Sequence, residues 1–244
     1  MGSPLRGKHA AERGSDVARG FQLTASLLRS CVGLGVLAAG IVVPAAAFAA
    51  EPPPMRTAGA NALDESASGD ARKIVTWVIE HGDNESMPFV IVDKNAARAF
   101  AFDRHGVLAG AAPVLLGMGT GDRSPDGIGT RRLSSISPAE RITPAGRFVA
   151  ALGENLSGKD ILWVDYDAAI SLHRVDTAKP SERRLQRLAS ATVSDNRISY
   201  GCINVPVQFF ESIVRPLFRA TAGIVYILPE TGPIEYASFS KRQD

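Results

Sequence analysis

Residues 88–117 read "PFVIVDKNAARAFAFDRHGVLAGAAPVLLG". Val90 and Val92 fall on one face of the first apolar run, and Phe100 and Phe102 on one face of the next. That period of two predicts strands. "DKNA" and "DRHG" place Asp, Asn and Gly at the reversals, where turn chemistry needs them. The segment therefore predicts a three-stranded meander. Upstream, "DARKIVTWVIEHGDN" switches to helical spacing at Ile74, Trp77 and Val78, with Asp70 placed to cap the start. Downstream, "ILWVDYDAAISLHRV" and "GIVYILPE" return to a strand pattern. "KPSERRLQRLAS" predicts a helix capped by Ser181, with Leu185 and Leu188 inward and Arg183, Arg184 and Arg187 outward. "VPVQFFESIVRPLFRAT" predicts another, with Phe209, Phe210, Ile213, Val214, Leu217 and Phe218 on its apolar side. Pro206 suits its first turn, and Pro216 is expected to end or kink it. Residues 117–147 are rich in Gly, Ser and Pro and read as loop. The sum is a mostly-β domain with a few short helices over residues 71–239.

The N-terminal pattern differs. Arg6, Lys8, Arg13, Arg19 and Arg29 precede the uncharged run "CVGLGVLAAGIVVPAAAFAA", in which Ala47 and Ala49 match a small-residue cleavage site. Residues 1–49 therefore read as an export leader, which predicts a periplasmic or cell-envelope location. The alternative is an uncleaved membrane anchor, since Cys31 to Ala50 is about long enough to span. Residues 50–70, Pro-, Ala-, Gly- and Ser-rich, read as a flexible linker. Without the leader the chain holds 22 Lys and Arg against 23 Asp and Glu, a net charge of −1. The basic excess belongs to the leader, and a nucleic-acid partner loses its support. Cys31 leaves with the leader too. Cys202 is then the sole thiol in an oxidising compartment, either buried and inert or kept for its chemistry.

Cys202 sits in "RISYGCINVP". A thiol attacks as the thiolate, and an ordinary pKa of about 8.5 leaves little of that form at neutral pH. His173 ends the apolar strand "AAISLH", where a rigid backbone holds a side chain at the domain rim. His81 and His105 lie beside a helix end and in a turn and read as surface residues. Gly201 permits a tight bend, and a helix beginning near Val205 would expose N–H groups around the sulfur and favour the thiolate. Cys plus His in this arrangement describes acyl transfer. A buried structural cysteine beside a strand is the alternative.

"SYGCIN" resembles the signature of the L,D-transpeptidases, the YkuD-type catalytic domain, in which Ser/Thr-His-Gly-Cys is followed by an apolar residue and Asn or Arg. Ser199, Gly201, Cys202, Ile203 and Asn204 match, and His173 takes the place of the upstream histidine. "TPAGRF", Thr143 to Phe148, is similar to the family's Thr-Pro-x-Gly-x-Phe segment, and the opening strands and closing helix and strand follow the family's order over most of residues 87–228. The resemblance implies a β-sandwich and peptidoglycan stem peptides as substrate. Cys202 would attack the amide between L- and D-centres and His173 would act as general base. It implies no metal or organic cofactor, and acylation of the cysteine by carbapenems.

The chain departs from the family at three places. Tyr200 stands where the family has a histidine that frames the oxyanion region. A tyrosine O–H donates a hydrogen bond but brings no cation. Arg174 follows the base where Gly or Ser is usual, so a backbone carbonyl is expected to orient the imidazole. The 29 residues from His173 to Cys202 exceed the family's usual gap by about the "KPSERRLQRLAS" helix, a wall or lid beside the site. Arg197 and Arg174 are candidates for binding the substrate carboxylate, with Ser199 and Asn204 as further substrate-side candidates. Hydrolysis of the same bonds by an L,D-carboxypeptidase or amidase is an alternative, as is a weakened peptidoglycan-binding protein. A sortase shares the His-then-Cys order but needs an arginine on a strand soon after the cysteine, where this pattern predicts a helix.

Overall fold

The computed structural model describes residues 63–236. The leader, most of the linker and residues 237–239 fall outside the described residues. The linker's last residues do not behave as a tether. Leu63 and Ala67 are buried in the core, and Ser68, not Asp70, caps helix α1 (Gly69–His81) by accepting from the Ala71 N–H at 3.0 Å. Ser68 wins because it occupies the extended residue just outside the helix, where a short side chain reaches the first free N–H groups. Asp70 lies in the first turn, favourable to the helix dipole.

Strands β1 (Phe89–Asp93), β2 (Arg98–Phe102) and β3 (Leu108–Pro113) form the expected antiparallel meander. They are followed by β4 (Leu116–Gly117), β5 (Gly146–Glu154), β6 (Asp160–Asp165), β7 (Ile170–Arg174), β8 (Arg197–Ser199), β9 (Ile203–Val205) and β10 (Gly223–Ile227). Eight strands make one sheet in the order β3-β2-β1-β10-β5-β6-β7-β9, while β4 and β8 pair apart from it. The layers of the fold thus come from one continuous sheet that curls. Val90 and Val92 of β1 share a core with Leu172 of β7 and Ile203 and Val205 of β9. In a flat sheet those strands would lie about 19–24 Å apart at ~4.8 Å per step.

Both faces of β1 are buried, because Phe89 to Val92 are all apolar and alternate residues point to opposite faces. Val90 and Val92 face the curled interior, whereas Phe89 and Ile91 join Phe100, Phe102, Ile224 and Tyr226 under α1. A helix of this length is marginal alone. Burial of Ile74, Val75 and Val78, at roughly 1.5–3 kcal/mol per large side chain, is what holds it.

The interior is closed by the helical segment after the cysteine, with Phe209, Phe210, Val214 and Phe218 inward. Pro216 does not end it. Helix α3 (Val207–Phe209) runs into a π-helical turn, Phe210–Val214, and out through α4 (Arg215–Phe218). The Arg215 N–H reaches the Phe210 carbonyl, so the wider turn shifts the bonding pattern ahead of the residue that lacks an N–H. The insert forms a shorter helix than expected, α2 (Arg184–Ala189), after a 3-10 turn at Pro180–Glu182. Ser181 does not cap it, and Arg183 turns the chain in a left-handed conformation. Leu188 is buried as expected, but Leu185 is 59% exposed and Arg184 points inward.

Candidate active site

Strands β7 and β9 are parallel neighbours, with Leu172 opposite Ile203 and His173 opposite Asn204. Cys202 immediately precedes β9, so this register brings the far-apart His173 and Cys202 to one sheet edge. Alternation along β7 turns Ser171 to the side of His173, and its hydroxyl donates to the Cys202 sulfur at 3.6 Å. The sulfur also lies 3.7 Å from the Ala169 carbonyl. Ser171 was missed by the motif reading, although its position two residues before His173 was the available signal.

The helix expected near Val205 begins two residues later, at Val207. The chain enters β9, where the apolar Ile203 and Val205 are buried and β7 offers a parallel edge. Strand β9 therefore lies between the sulfur and the helix start. The strand after the cysteine carries Ile203, Asn204 and Val205 and so lacks the arginine that a sortase needs there.

Thiol and imidazole act on each other instead. Burial alone would push the Cys202 thiol up, but its hydrogen bond to His173, the imidazolium charge and Ser171 bring it below the ordinary value. Burial likewise disfavours a charged His173, yet the Cys202 hydrogen bond and thiolate charge, with the Arg174 carbonyl, raise it. The ring is oriented as the Arg174 substitution required, with Nδ1 2.7 Å from that residue's own carbonyl oxygen. An open cleft of about 320 Å³ adjoins His173, lined by Lys159, Asp160, Arg174, Asp176 and Val207 among others.

The cysteine turn is stitched from both sides. The Ser199 hydroxyl donates to the Cys202 carbonyl at 2.6 Å and accepts from the Gly201 N–H at 3.1 Å. The Thr143 hydroxyl donates to the Gly201 carbonyl and accepts from the Gly117 N–H, each at 2.8 Å. Ser199 and Thr143 are both buried, so Ser199, expected on the substrate side, supports the turn. Gly201 has φ +123°, and a Cβ there would lie 2.7 Å from both the Ile142 carbonyl oxygen and Ile170 Cδ1. We expect Gly201→Ala to displace the turn, lowering the Tm by several degrees through about 1–3 kcal/mol of backbone strain and slowing Cys202 alkylation. Calorimetry and alkylation kinetics check this, and unchanged values would contradict it.

The other candidates take different places from those expected. Arg197 is paired with Glu230, and both side chains are nearly buried. Arg174 lies over the Phe210 ring at 4.2 Å and is held by Glu211 at 2.5 Å and Asp160 at 2.8 Å. Both guanidiniums are already matched to carboxylates, the pairing that a substrate carboxylate would have to displace. Asn204 is buried, with its amide between His173 Nε2 and Arg184. It faces the imidazole, not the cleft surface. Tyr200 carries the Arg141 guanidinium 3.9 Å above its ring. A cation therefore does stand beside the position where the family has histidine, supplied by a residue of the 117–147 loop. Among the described residues, no cluster of three or more His, Cys, Asp and Glu side chains is arranged to hold a metal ion.

No family model matches this sequence, and no curated protein sequence matches it. Among solved structures, the chain is similar to an L,D-transpeptidase from Xylanimonas cellulosilytica. The identity is 12% over 58% of this chain and 60% of that one, with a TM-score of 0.34. It is also similar to the LD transpeptidase LdtMt1 in complex with imipenem, at 14% identity over 58% of each chain and a TM-score of 0.31. The similar region spans less than two thirds of either of those chains.

Proposed function

We propose that this chain is an exported cysteine acyltransferase of the L,D-transpeptidase kind, acting on peptidoglycan stem peptides. The observation that carries the reading is the β7–β9 register, which sets His173 beside the thiol of the motif cysteine. In the proposed reaction the Cys202 proton passes to His173, and the sulfur attacks the amide carbon between the L- and D-centres. The C–N bond breaks, and His173 returns the proton to the departing D-alanine amine. The thioester left on Cys202 is then taken by an acceptor amine, whose proton passes to His173 as the thiol is released. Water in place of the amine gives hydrolysis through the same acyl-enzyme.

Two measurements test this. Incubation with meropenem should add the mass of one carbapenem to the peptide that holds Cys202, and a wild-type protein that stays unmodified counts against the reading. Incubation with a disaccharide-tetrapeptide should yield a cross-linked dimer. Tripeptide alone would assign hydrolysis, and no product of either kind would leave a peptidoglycan-binding protein.

A further inference from the structure

Both nitrogens of the His173 ring are engaged, and their partners decide where the proton sits. Nδ1 faces the Arg174 carbonyl oxygen at 2.7 Å. A carbonyl only accepts, so Nδ1 carries the hydrogen. Nε2 faces Asn204 Nδ2 at 3.2 Å. Which end of an amide meets a given partner is often ambiguous, but here Arg184 resolves it. A guanidinium has donors and no acceptor, and Arg184 Nη1 bonds to Asn204 Oδ1. The amide oxygen is therefore turned to Arg184 and its NH₂ group to the ring, so Nε2 must present a lone pair. Asn204 cannot shift to escape this. Its backbone N–H and carbonyl are bonded to Leu115 at 2.9 and 2.8 Å, and the residue is 1% exposed. Arg184 is fixed in turn by Glu182, whose carboxylate accepts from its Nε at 2.6 Å.

We propose that Arg184 is a positioning residue for this site: through the Asn204 amide it holds His173 as the neutral Nδ1–H imidazole and so opposes, at rest, transfer of the Cys202 proton. An imidazolium would set its own Nε2–H against the Asn204 NH₂. With Arg184 removed, the amide can rotate and offer Oδ1 to that N–H, and the thiolate–imidazolium pair forms more readily. The proposal rests on the acyl-transfer reading and adds to it a control of the nucleophile built from the insert.

The charged and titratable groups around the ring are few. Cys202 lies close enough to raise the imidazole above its ordinary value, and Arg184 lies behind Asn204. Lys159, Asp160, Arg174 and Asp176 line the adjoining cleft, with Asp160 taken up by Arg174 and Arg215. After burial, which disfavours the cation, Cys202 and the Arg174 carbonyl favour it, while the charge of Arg184 works against it.

The test is alkylation of the full chain by iodoacetamide between about pH 5 and 10, with mass spectrometry separating the Cys202 peptide from that of Cys31. Arg184→Met should lower the midpoint of Cys202 alkylation by about one pH unit. Arg184→Lys, which keeps a donor toward Asn204, should stay with the wild type. An unmoved or raised midpoint in Arg184→Met, or a lysine variant that shifts equally, overturns the proposal. Nitrogen-15 NMR of histidine-labelled wild type needs no variant, with the His173 resonances assigned by their loss in His173→Gln. It should show the Nδ1–H tautomer, and the Nε2–H tautomer overturns the proposal too. Neither measurement depends on turnover, so a failed carbapenem assay with shifted midpoints would remove the function and leave the positioning role.

Discussion

Replacing His173 with glutamine is expected to slow acylation of Cys202 by a carbapenem by about 10²–10⁴-fold, the range that a positioned general base contributes. Glutamine preserves much of the volume, and its amide can still bond to the Arg174 carbonyl and Asn204. What it loses is a nitrogen able to take a proton. The thiol then loses the group that outweighs its burial, so the alkylation midpoint should rise to the ordinary thiol value of about 8.5 or above. In the wild type both shifts, the thiol down and the imidazole up, favour transfer of the Cys202 proton to His173, and the glutamine variant loses them. Stopped-flow acylation and the pH profile of alkylation measure the two effects separately. A variant that acylates at the wild-type rate would mean that His173 is not the base.

Glu230→Gln is expected to produce the largest loss of stability, about 3–5 kcal/mol, the usual cost of removing one partner from a buried ion pair. At roughly 2–4 °C per kcal/mol for a domain of this size, the Tm should fall by about 10 °C. The reason is Lys94, which is 0% exposed. Its ammonium donates to the Gly121 carbonyl at 2.6 Å, to Asp122 at 2.8 Å and to the Thr143 carbonyl at 2.9 Å, with Glu230 at 3.4 Å. Glu230 also neutralises Arg197, so its loss takes the carboxylate from Arg197 and leaves Lys94 with the partly exposed Asp122. The damage should reach the site, because Arg197 begins β8, which leads into the cysteine turn, and Thr143 holds the Gly201 carbonyl. Thermal unfolding together with the alkylation rate would show both, and a Tm within a degree of wild type would refute this account of the cluster.

The same cluster implies a pH dependence. Burial would raise the Asp122 carboxyl, but hydrogen bonds from Lys94, Thr231 and the Glu230 and Thr231 N–H groups bring it down to about 2 from 3.8. A carboxyl depressed by folding stabilises the fold above its unfolded value. That contribution should be intact above pH 4 and disappear as pH falls toward 2. Acid titration of Asp122→Asn should show a shallower loss of stability across that interval than wild type.

The meander was legible because its strands obey a strict period of two and its reversals carry turn residues. Period and turn chemistry are both local. The insert helix was read half correctly, with Leu188 buried but Leu185 exposed and Arg184 inward, because its pattern mixes arginine and leucine and only contact with Asn204 distinguishes a buried guanidinium from a solvated one. Strand β9, between Cys202 and that helix, was not read from the sequence for a related reason. Ile203 and Val205 suit either a strand or a helix approach, and the free edge of β7, remote in sequence, decides between them. Arg197 and Arg174 looked available for a substrate carboxylate because Glu230, Glu211 and Asp160 are distant along the chain.

What the sequence by itself determined is the inventory of chemistry and the local geometry: one motif cysteine, a strand-end histidine, a glycine where the turn needs one, and the alternating strands that hold them. Periodicity and residue type depend on near neighbours, so they can be read along a line. The tertiary structure alone decided which groups oppose one another. It curled one sheet into layers, set β7 against β9 in a single register, and spent two arginines on carboxylates. It also aimed a third, Arg184, through Asn204 at the histidine. Hydrogen bonds and ion pairs act over a few ångströms of space, whatever the separation in sequence, and only the folded chain defines those distances.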